Sequence, residues 1–184
     1  MRGIDGFFTE DEGRWYARFA RSLSGGTFVE IGSWKGRSTS FVGPICNGNG
    51  TRLVCVDHWN GSEDTLADHY ARTLDHEDVA ATFLANMDRL GIRVDVLRER
   101  STVAAGSFAD RSVDRLFLDG SHDGPSVRDD LAAWWPKISE GGIFAGHDYD
   151  EKHPDLVREV DVFAERHGHV VKRGPRSIFW LSPR

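Results

Sequence analysis

Cysteine is nearly absent: Cys46 and Cys55 are the two in a chain of 184 residues. One pair in a chain long enough for a full core does not make the disulfide scaffold of a small secreted domain. Neither thiol has the second cysteine and histidines at the spacing a zinc site needs. Both read as packing residues, since free Cys behaves as a small hydrophobe; a disulfide between them stays open at this level. No segment approaches the run of about 20 apolar residues that a membrane helix needs. The opening stretch, Met1 to Phe19, has no apolar segment of signal-peptide length, so the expected setting is cytoplasmic. Basic charge is also scarce: 23 Lys and Arg against 29 Asp and Glu give a formal net charge of −6, with no basic stripe. Duplex binding needs such a stripe, so nucleic acid is not an expected partner, and neither is a membrane. Repeats, linkers and low-complexity tracts are missing too.

What the chain does have is an alternation of strand-like and helix-like segments. Thr9 to Glu12 has the form of a capping box, with Trp15, Phe19 and Leu23 following at helical spacing and Gly25-Gly26 ending the helix. Thr27 to Ile31 reads as a first strand and Gly36 to Cys46 as a helix whose last turn Pro44 limits. Asn47 to Gly50 reads as a turn, and Arg52 to Asp57 as a second strand. His58 to Leu74 is polar and aromatic with weak periodicity, a mobile lid or a short helix; the lid or acceptor segment is taken as 58–76. A helix over Glu77 to Leu90, strands at Arg93 to Leu97 and Val113 to Leu118, and a helix from Pro125 to Trp135 follow. Gly141-Gly142 precedes a strand at Ile143 to Gly146; Pro154 to His167 is helical; His169 to Val171 and Ile178 to Leu181 close the chain as a pair around Gly174-Pro175. Strands alternating with helices predict one α/β domain over residues 1–184: a doubly wound, Rossmann-like, mostly parallel seven-stranded sheet in a three-layer α/β/α arrangement, with an antiparallel C-terminal edge.

Ligands of open α/β sheets bind beyond the carboxyl ends of the strands. Those ends carry Glu30-Ile31-Gly32-Ser33, Asp57-His58-Trp59, Glu99-Arg100-Ser101, Asp119-Gly120-Ser121-His122 and Gly146-His147-Asp148-Tyr149, an acidic and polar set at one rim. Gly32 permits a sharp turn after the first strand, and Gly36 leaves room for a ligand near the backbone. The phosphate-loop ending Gly-Lys-Ser/Thr is missing, and the dinucleotide fingerprint fits poorly in its glycine spacing. Asp57, at the end of the second strand, can accept hydrogen bonds from both ribose hydroxyls, which points to a nucleoside ligand.

Together, Glu30 to Ser38 (Glu-Ile-Gly-Ser-Trp-Lys-Gly-Arg-Ser), Val56 to Trp59 and Leu118 to His122 resemble class I S-adenosylmethionine-dependent methyltransferases. More narrowly, they are similar to the bacterial branch of macrolide-sugar O-methyltransferases and cephalosporin-hydroxylase-type proteins, over about Thr27 to Trp180. The resemblance implies that Glu30, Gly32 and Ser33, with Gly36 and Ser38 of the same loop, surround the methionine part of the donor. It implies that Asp57 holds the ribose, that His58 or Trp59 borders the adenine, and that Arg100 and Ser101 frame its edge. Trp59 reads equally well as a core or rim aromatic.

Asp119, His147 and Asp148 form a second constellation. Two carboxylates at neighbouring strand ends repel unless something positive lies between them, and a hard divalent cation such as Mg²⁺ answers that need. Metal-dependent relatives place acidic ligands at positions matching Asp119 and Asp148. Here His147 stands beside Asp148, and an imidazole shifts preference toward Mn²⁺, Fe²⁺, Co²⁺ or Zn²⁺. In the other reading Asp119 orients the donor sulfonium or a loop amide and Asp148 caps a turn. His122 is a candidate general base, or a ligand, because imidazole changes charge near neutral pH and methyl transfer to an alcohol needs its proton removed. His76, His153, His167 and His169 read as solvated or packing residues, and Asp129-Asp130 as a solvated helix face. The expectation is an O-methyltransferase, divalent-metal-assisted, acting on a hydroxyl of a sugar or other small secondary metabolite. Its catalytic set is His122, Asp119 and His147, its cofactors S-adenosylmethionine and Mg²⁺ or another divalent ion, and its partner a small-molecule acceptor, with a homodimer compatible. A phenol, amine or carboxylate acceptor, or a donor-binding protein without transfer activity, are the alternatives; a nicotinamide dehydrogenase is disfavoured by the glycine spacing.

Overall fold

The computed structural model describes residues 3–61 and 67–183. Helix α1 (Glu10–Arg21) opens on a complete capping box: Glu12 N–H donates to Thr9 Oγ1 at 3.4 Å and Thr9 N–H donates to Glu12 Oε2 at 2.9 Å. It ends at the Ser22 cap, so Gly25 and Gly26 lie in the loop beyond rather than at its end. The order continues β1 (Thr27–Ile31), α2 (Thr39–Asn49), β2 (Arg52–Val56), α3 (Ala67–Leu74), α4 (Val79–Arg89), β3 (Asp95–Leu97), α5 (Ser101–Ala104) and β4 (Val113–Leu118). Then come α6 (Gly124–Trp134), β5 (Ile138–Gly146), α7 (Pro154–Arg166), β6 (His169–Arg173) and β7 (Phe179–Pro183). The seven strands form one sheet in the order β3-β2-β1-β4-β5-β7-β6. β1 to β5 run parallel, and β7 joins antiparallel between β5 and β6, as the sequence predicts.

Strand side chains alternate between faces, and here both faces are buried. Val29, Ile31, Val54, Val56, Leu116 and Leu118 meet Val127, Leu131 and Trp134 of α6 and Leu156 and Val160 of α7. Phe28, Leu53, Cys55 and Phe117 face the other way, against Tyr16 and Phe19 of α1, Val42 of α2, and Phe83 and Met87 of α4. This gives three layers. Phe28 and Phe117 are fully buried, and each such side chain contributes about 1.5–3 kcal/mol through burial. Cys46 and Cys55 are free thiols in the second cluster. No helix among the described residues is long and apolar enough to cross a membrane.

Several boundaries differ from the sequence expectation. α2 starts at Thr39, because Gly36 at φ 87° closes a turn with its N–H on Ser33 O at 2.8 Å. It runs through Pro44 to Asn49, ending on left-handed Gly50. Asn47 is helical rather than in a turn; its amide exchanges hydrogen bonds with the Arg93 main chain at 2.7 and 2.8 Å. β5 takes in Gly141 and Gly142 instead of starting after them, with a register shift between Val113 and Arg115 of its neighbour. Of the segment 58–76, residues 67–74 are helical, and 62–66 lie outside the described residues.

Candidate functional site

Strand order reverses between β1 and β4, so the connections leaving them diverge and open a crevice above their carboxyl ends. A cavity of about 780 Å³ fills it, within the range of small-molecule sites. Main-chain ladder bonds fix its rim: Gly32 N–H to Val56 O at 2.9 Å, Asp57 N–H to Leu97 O at 3.1 Å, Asp119 N–H to Ile31 O at 2.9 Å, and His147 N–H to Leu118 O at 2.9 Å. Gly32 sits at φ 82°, and a Cβ there would stand 1.8 Å from the carbonyl oxygen of Asp119. The two central strand ends touch at this point, and only glycine allows it.

On the β1–β2 side, Asp57 lies between two loops. Its Oδ2 accepts from Trp34 N–H at 2.9 Å and its Oδ1 from Trp59 N–H at 2.7 Å. Both tryptophans have positive φ, 46° and 54°, and Trp59 Nε1–H donates to Trp34 O at 2.8 Å, tying the loops together. Burial pushes the Asp57 carboxyl above its ordinary pKa, and the amide bonds oppose that shift. Gly32, Ser33, Ser38, Asp57, His58, Arg100 and Ser101 all line the cavity.

Glu30, Gly36 and Trp59 do not line it. Strand alternation turns Glu30 into the layer beneath α1 and α2. There it accepts from Tyr16 Oη at 3.1 Å, Ser33 Oγ at 2.9 Å and Thr39 Oγ1, and burial raises its pKa. Gly36 packs under Met87 and Phe83. Trp59 is 3% exposed with its ring 5.3 Å from Phe83, which makes it a core aromatic.

On the β4–β5 side the structure brings together Asp119, His122, His147 and Asp148. His147 Nδ1 lies 3.4 Å from Asp119 Oδ1 and 3.1 Å from Asp148 Oδ2, and its Nε2 lies 2.8 Å from Glu12 Oε1. His122 Nε2 lies 2.8 Å from Asp148 Oδ2. Burial alone would lower the His147 pKa, but the charge of Asp119 and hydrogen bonds to Asp119, Asp148 and Glu12 carry it well above the ordinary histidine value. Asp148, despite burial, is held well below the usual carboxylate range by His122 and His147. Burial raises Asp119, with His147 opposing. Burial also raises Glu12, but the His147 hydrogen bond, then Thr9, bring its carboxyl down to about 2.

Four of these wall residues escaped the sequence reading. Glu12 belongs to the capping box, so its pattern announces a helix start. Its Oε2 caps α1 and its Oε1 holds His147, and at 2% exposure it is a core residue. Phe8 covers the same imidazole with ring centroids 5.0 Å apart. Asp130 is 6% exposed rather than solvated; burial raises its carboxyl to about 6. His153, read as solvated or packing, lines the cavity with Nε2 3.8 Å from Asp148 Oδ1.

The family described as Methyltransferase domain matches residues 29–149, more than half of the chain. An uncharacterized protein, y4gI of Sinorhizobium fredii, is 32% identical over 123 residues; the match covers 65% of this chain and 13% of that protein's length. The Podospora anserina methyltransferase PaMTH1, solved with S-adenosylhomocysteine, superposes with a TM-score of 0.73 at 12% identity over 97% of this chain and 80% of its own. CalS11, a TDP-rhamnose 3′-O-methyltransferase of calicheamicin biosynthesis, gives 0.63 at 14% identity, covering 92% and 76%. With the β1 glycine turn, the Asp57 cradle and this match in hand, the chain belongs to the class I S-adenosylmethionine-dependent methyltransferases.

Proposed function

We propose that the chain transfers a methyl group from S-adenosylmethionine to a hydroxyl of a sugar or other small secondary metabolite. The observation that carries this reading is one cavity with two different ends. Asp57 stands over one end, and His122, 2.8 Å from Asp148, stands at the other. The donor's methyl is already activated by the sulfonium, so the protein has to position the acceptor, exclude water and take its proton. His122 is the base in this scheme. Imidazole is the side chain that exchanges a proton near neutral pH, and Asp148 on Nε2 fixes the orientation of this ring. Asp57 keeps lone pairs for ribose hydroxyls after accepting two amides, since a carboxylate offers about four acceptor positions.

The donor set Asp119, His147 and Asp148 fits a divalent cation: one ligand atom of each lies within 4.8 Å of the other two, and His147 Nδ1 lies 3.4 Å from Asp119 Oδ1 and 3.1 Å from Asp148 Oδ2. Glu12 on the far nitrogen of His147 is the usual carboxylate partner of a ligating histidine. The imidazole makes Mn²⁺, Fe²⁺, Co²⁺ or Zn²⁺ a better match than Mg²⁺. Such an ion supplies Lewis-acid stabilisation of an alkoxide.

Calorimetry with S-adenosylhomocysteine tests the donor half. Binding in the micromolar range should weaken by about 100-fold or more in Asp57→Ala, the loss of two charge-assisted bonds. Absence of binding in a folded sample would sink the reading. Incubation with methyl-labelled donor and a panel of sugars, phenols, amines and carboxylic acids tests the acceptor half. A base-stable ether on a sugar supports the proposal, and an ester or N-methyl product refutes the hydroxyl assignment.

A further inference from the structure

His153 is the residue before α7, yet it makes no side-chain capping bond to that helix. Its imidazole turns to the loop after β5 instead. Nε2 lies 3.8 Å from Asp148 Oδ1, and the ring lies against His122 with centroids 4.2 Å apart and planes at 33°. His122, from the loop after β4, has its own Nε2 2.8 Å from Asp148 Oδ2. Two imidazoles from separate connections thus aim the same ring atom at one carboxylate. One donor atom from each of His122, Asp148 and His153 lies within 4.8 Å of the other two. Ring packing alone does not require this convergence, since apolar rings pack as well.

The spacing suits a metal ion. Bonds of about 2.0–2.1 Å in a tetrahedral shell place ligand atoms roughly 3.3–3.4 Å apart. The observed 2.8 Å from His122 Nε2 to Oδ2 and 3.8 Å from His153 Nε2 to Oδ1 lie on either side of that value, and the 4.8 Å limit on all three separations leaves only side-chain adjustment to close on an ion. The side chains of His122, His153 and Asp148 are 8%, 13% and 20% exposed, and all three line the cavity, so an entry path exists. We infer that His122, Asp148 and His153 form a second cation site, sharing Asp148 with the Asp119–His147–Asp148 set. Two imidazoles and one carboxylate select a transition ion such as Zn²⁺ or Co²⁺ over Mg²⁺. Asp148 can serve both sets because its two oxygens carry about four lone-pair positions.

A consequence follows for the reaction, and it rests on His122 being the base. An ion on His122 occupies the imidazole that takes the acceptor's proton, so Zn²⁺ at this site inhibits transfer. The site itself does not depend on that reading.

Metal-stripped full-length chain titrated with Co²⁺ tests it, with visible absorption reporting ligation and equilibrium dialysis counting ions. Wild type should bind a Co²⁺ that Asp119→Asn retains and that His153→Ala loses, with at least a tenfold weakening, since even outer partners of a metal site are worth about 10–100-fold. His153→Gln, closer in size, should lose it too, and an unchanged circular dichroism spectrum and urea unfolding midpoint in both variants check that they fold. Retention of the same Co²⁺ number and affinity in both His153 variants, loss in Asp119→Asn alone, or no binding by wild type would each overturn the site. Co²⁺ binding that follows the expected pattern in a protein that binds no S-adenosylhomocysteine would sink the methyltransferase reading and leave the site standing.

Discussion

The two ends of the cavity are built by different means. At the β1–β2 end, the key carboxylate of Asp57 is held by main-chain N–H groups of Trp34 and Trp59, and the turn beside it by a glycine against main chain. At the β4–β5 end, Asp119, Asp148, Glu12, His147 and His122 hold one another through charged side chains. Backbone donors have no protonation state and move only if the fold moves. Charged side chains depend on one another, so removing one changes the pKa and position of the rest. Under the proposed function, a rigid end suits a donor that is the same in every turnover, and an ionic end suits the step in which a proton moves.

The comparison breaks most visibly if the rigid end proves pliable. Gly32→Ala puts a methyl 1.8 Å from the Asp119 carbonyl oxygen at φ 82°. That oxygen belongs to a strand end anchored by Asp119 N–H on Ile31 O at 2.9 Å, so relief requires prying β1 from β4. A stability loss above about 4 kcal/mol in urea unfolding is expected, in the class of exceptional single-site effects. A loss below about 1 kcal/mol would show that the strand ends part easily and that the donor end is not rigid.

The rigid end was also the more legible one in sequence. Gly32 and Asp57 lie just past the ends of their own strands, so strand periodicity followed by a turn residue locates them. Local pattern failed where a side chain's fate depends on what lies across the sheet. Glu30 sits in the motif, yet alternation sends it beneath α1, where Tyr16, Ser33 and Thr39 bond it. Trp59 adjoins Asp57, but its positive φ accompanies a ring placed on Phe83 in the core. The ionic end needed contacts that no window contains: Glu12 and His147 are 135 residues apart. Pro154 announced the start of α7 but carried no word of where His153, just before it, would point.

Asp130 offers a sharper probe, because it places a titrating side chain near Ser101 at the wall. Burial raises its carboxyl to about 6 from 3.8, with the Ser101 hydrogen bond opposing. The sign follows from linkage. Below about pH 3 both folded and unfolded chains carry the proton; as pH rises through 3.8 to about 6 the unfolded chain releases it first, and stability falls. The penalty reaches about 3 kcal/mol above pH 6 at 1.36 kcal/mol per unit. Asp130→Asn should therefore be more stable than wild type at pH 7 by up to that amount and indistinguishable at about pH 3. An equal gain at both values would assign it to packing instead of ionisation.

Glu12→Gln asks whether the two ends work independently. Glutamine keeps the capping box of α1, since an amide oxygen at that position also accepts from the Thr9 main chain. What it removes is the negative charge 2.8 Å from His147 Nε2. Methyl transfer should fall by about 10–100-fold, the usual cost of losing the partner that orients a functional histidine. S-adenosylhomocysteine affinity should stay within about twofold, because Asp57 and its amides lie at the other end. A parallel loss of both would mean that α1 clamps the whole cavity and that the two ends share one mechanical support. A loss of transfer alone would confine the effect of Glu12 to His147, through which a residue of the first helix reaches the carboxylates at the ends of β4 and β5.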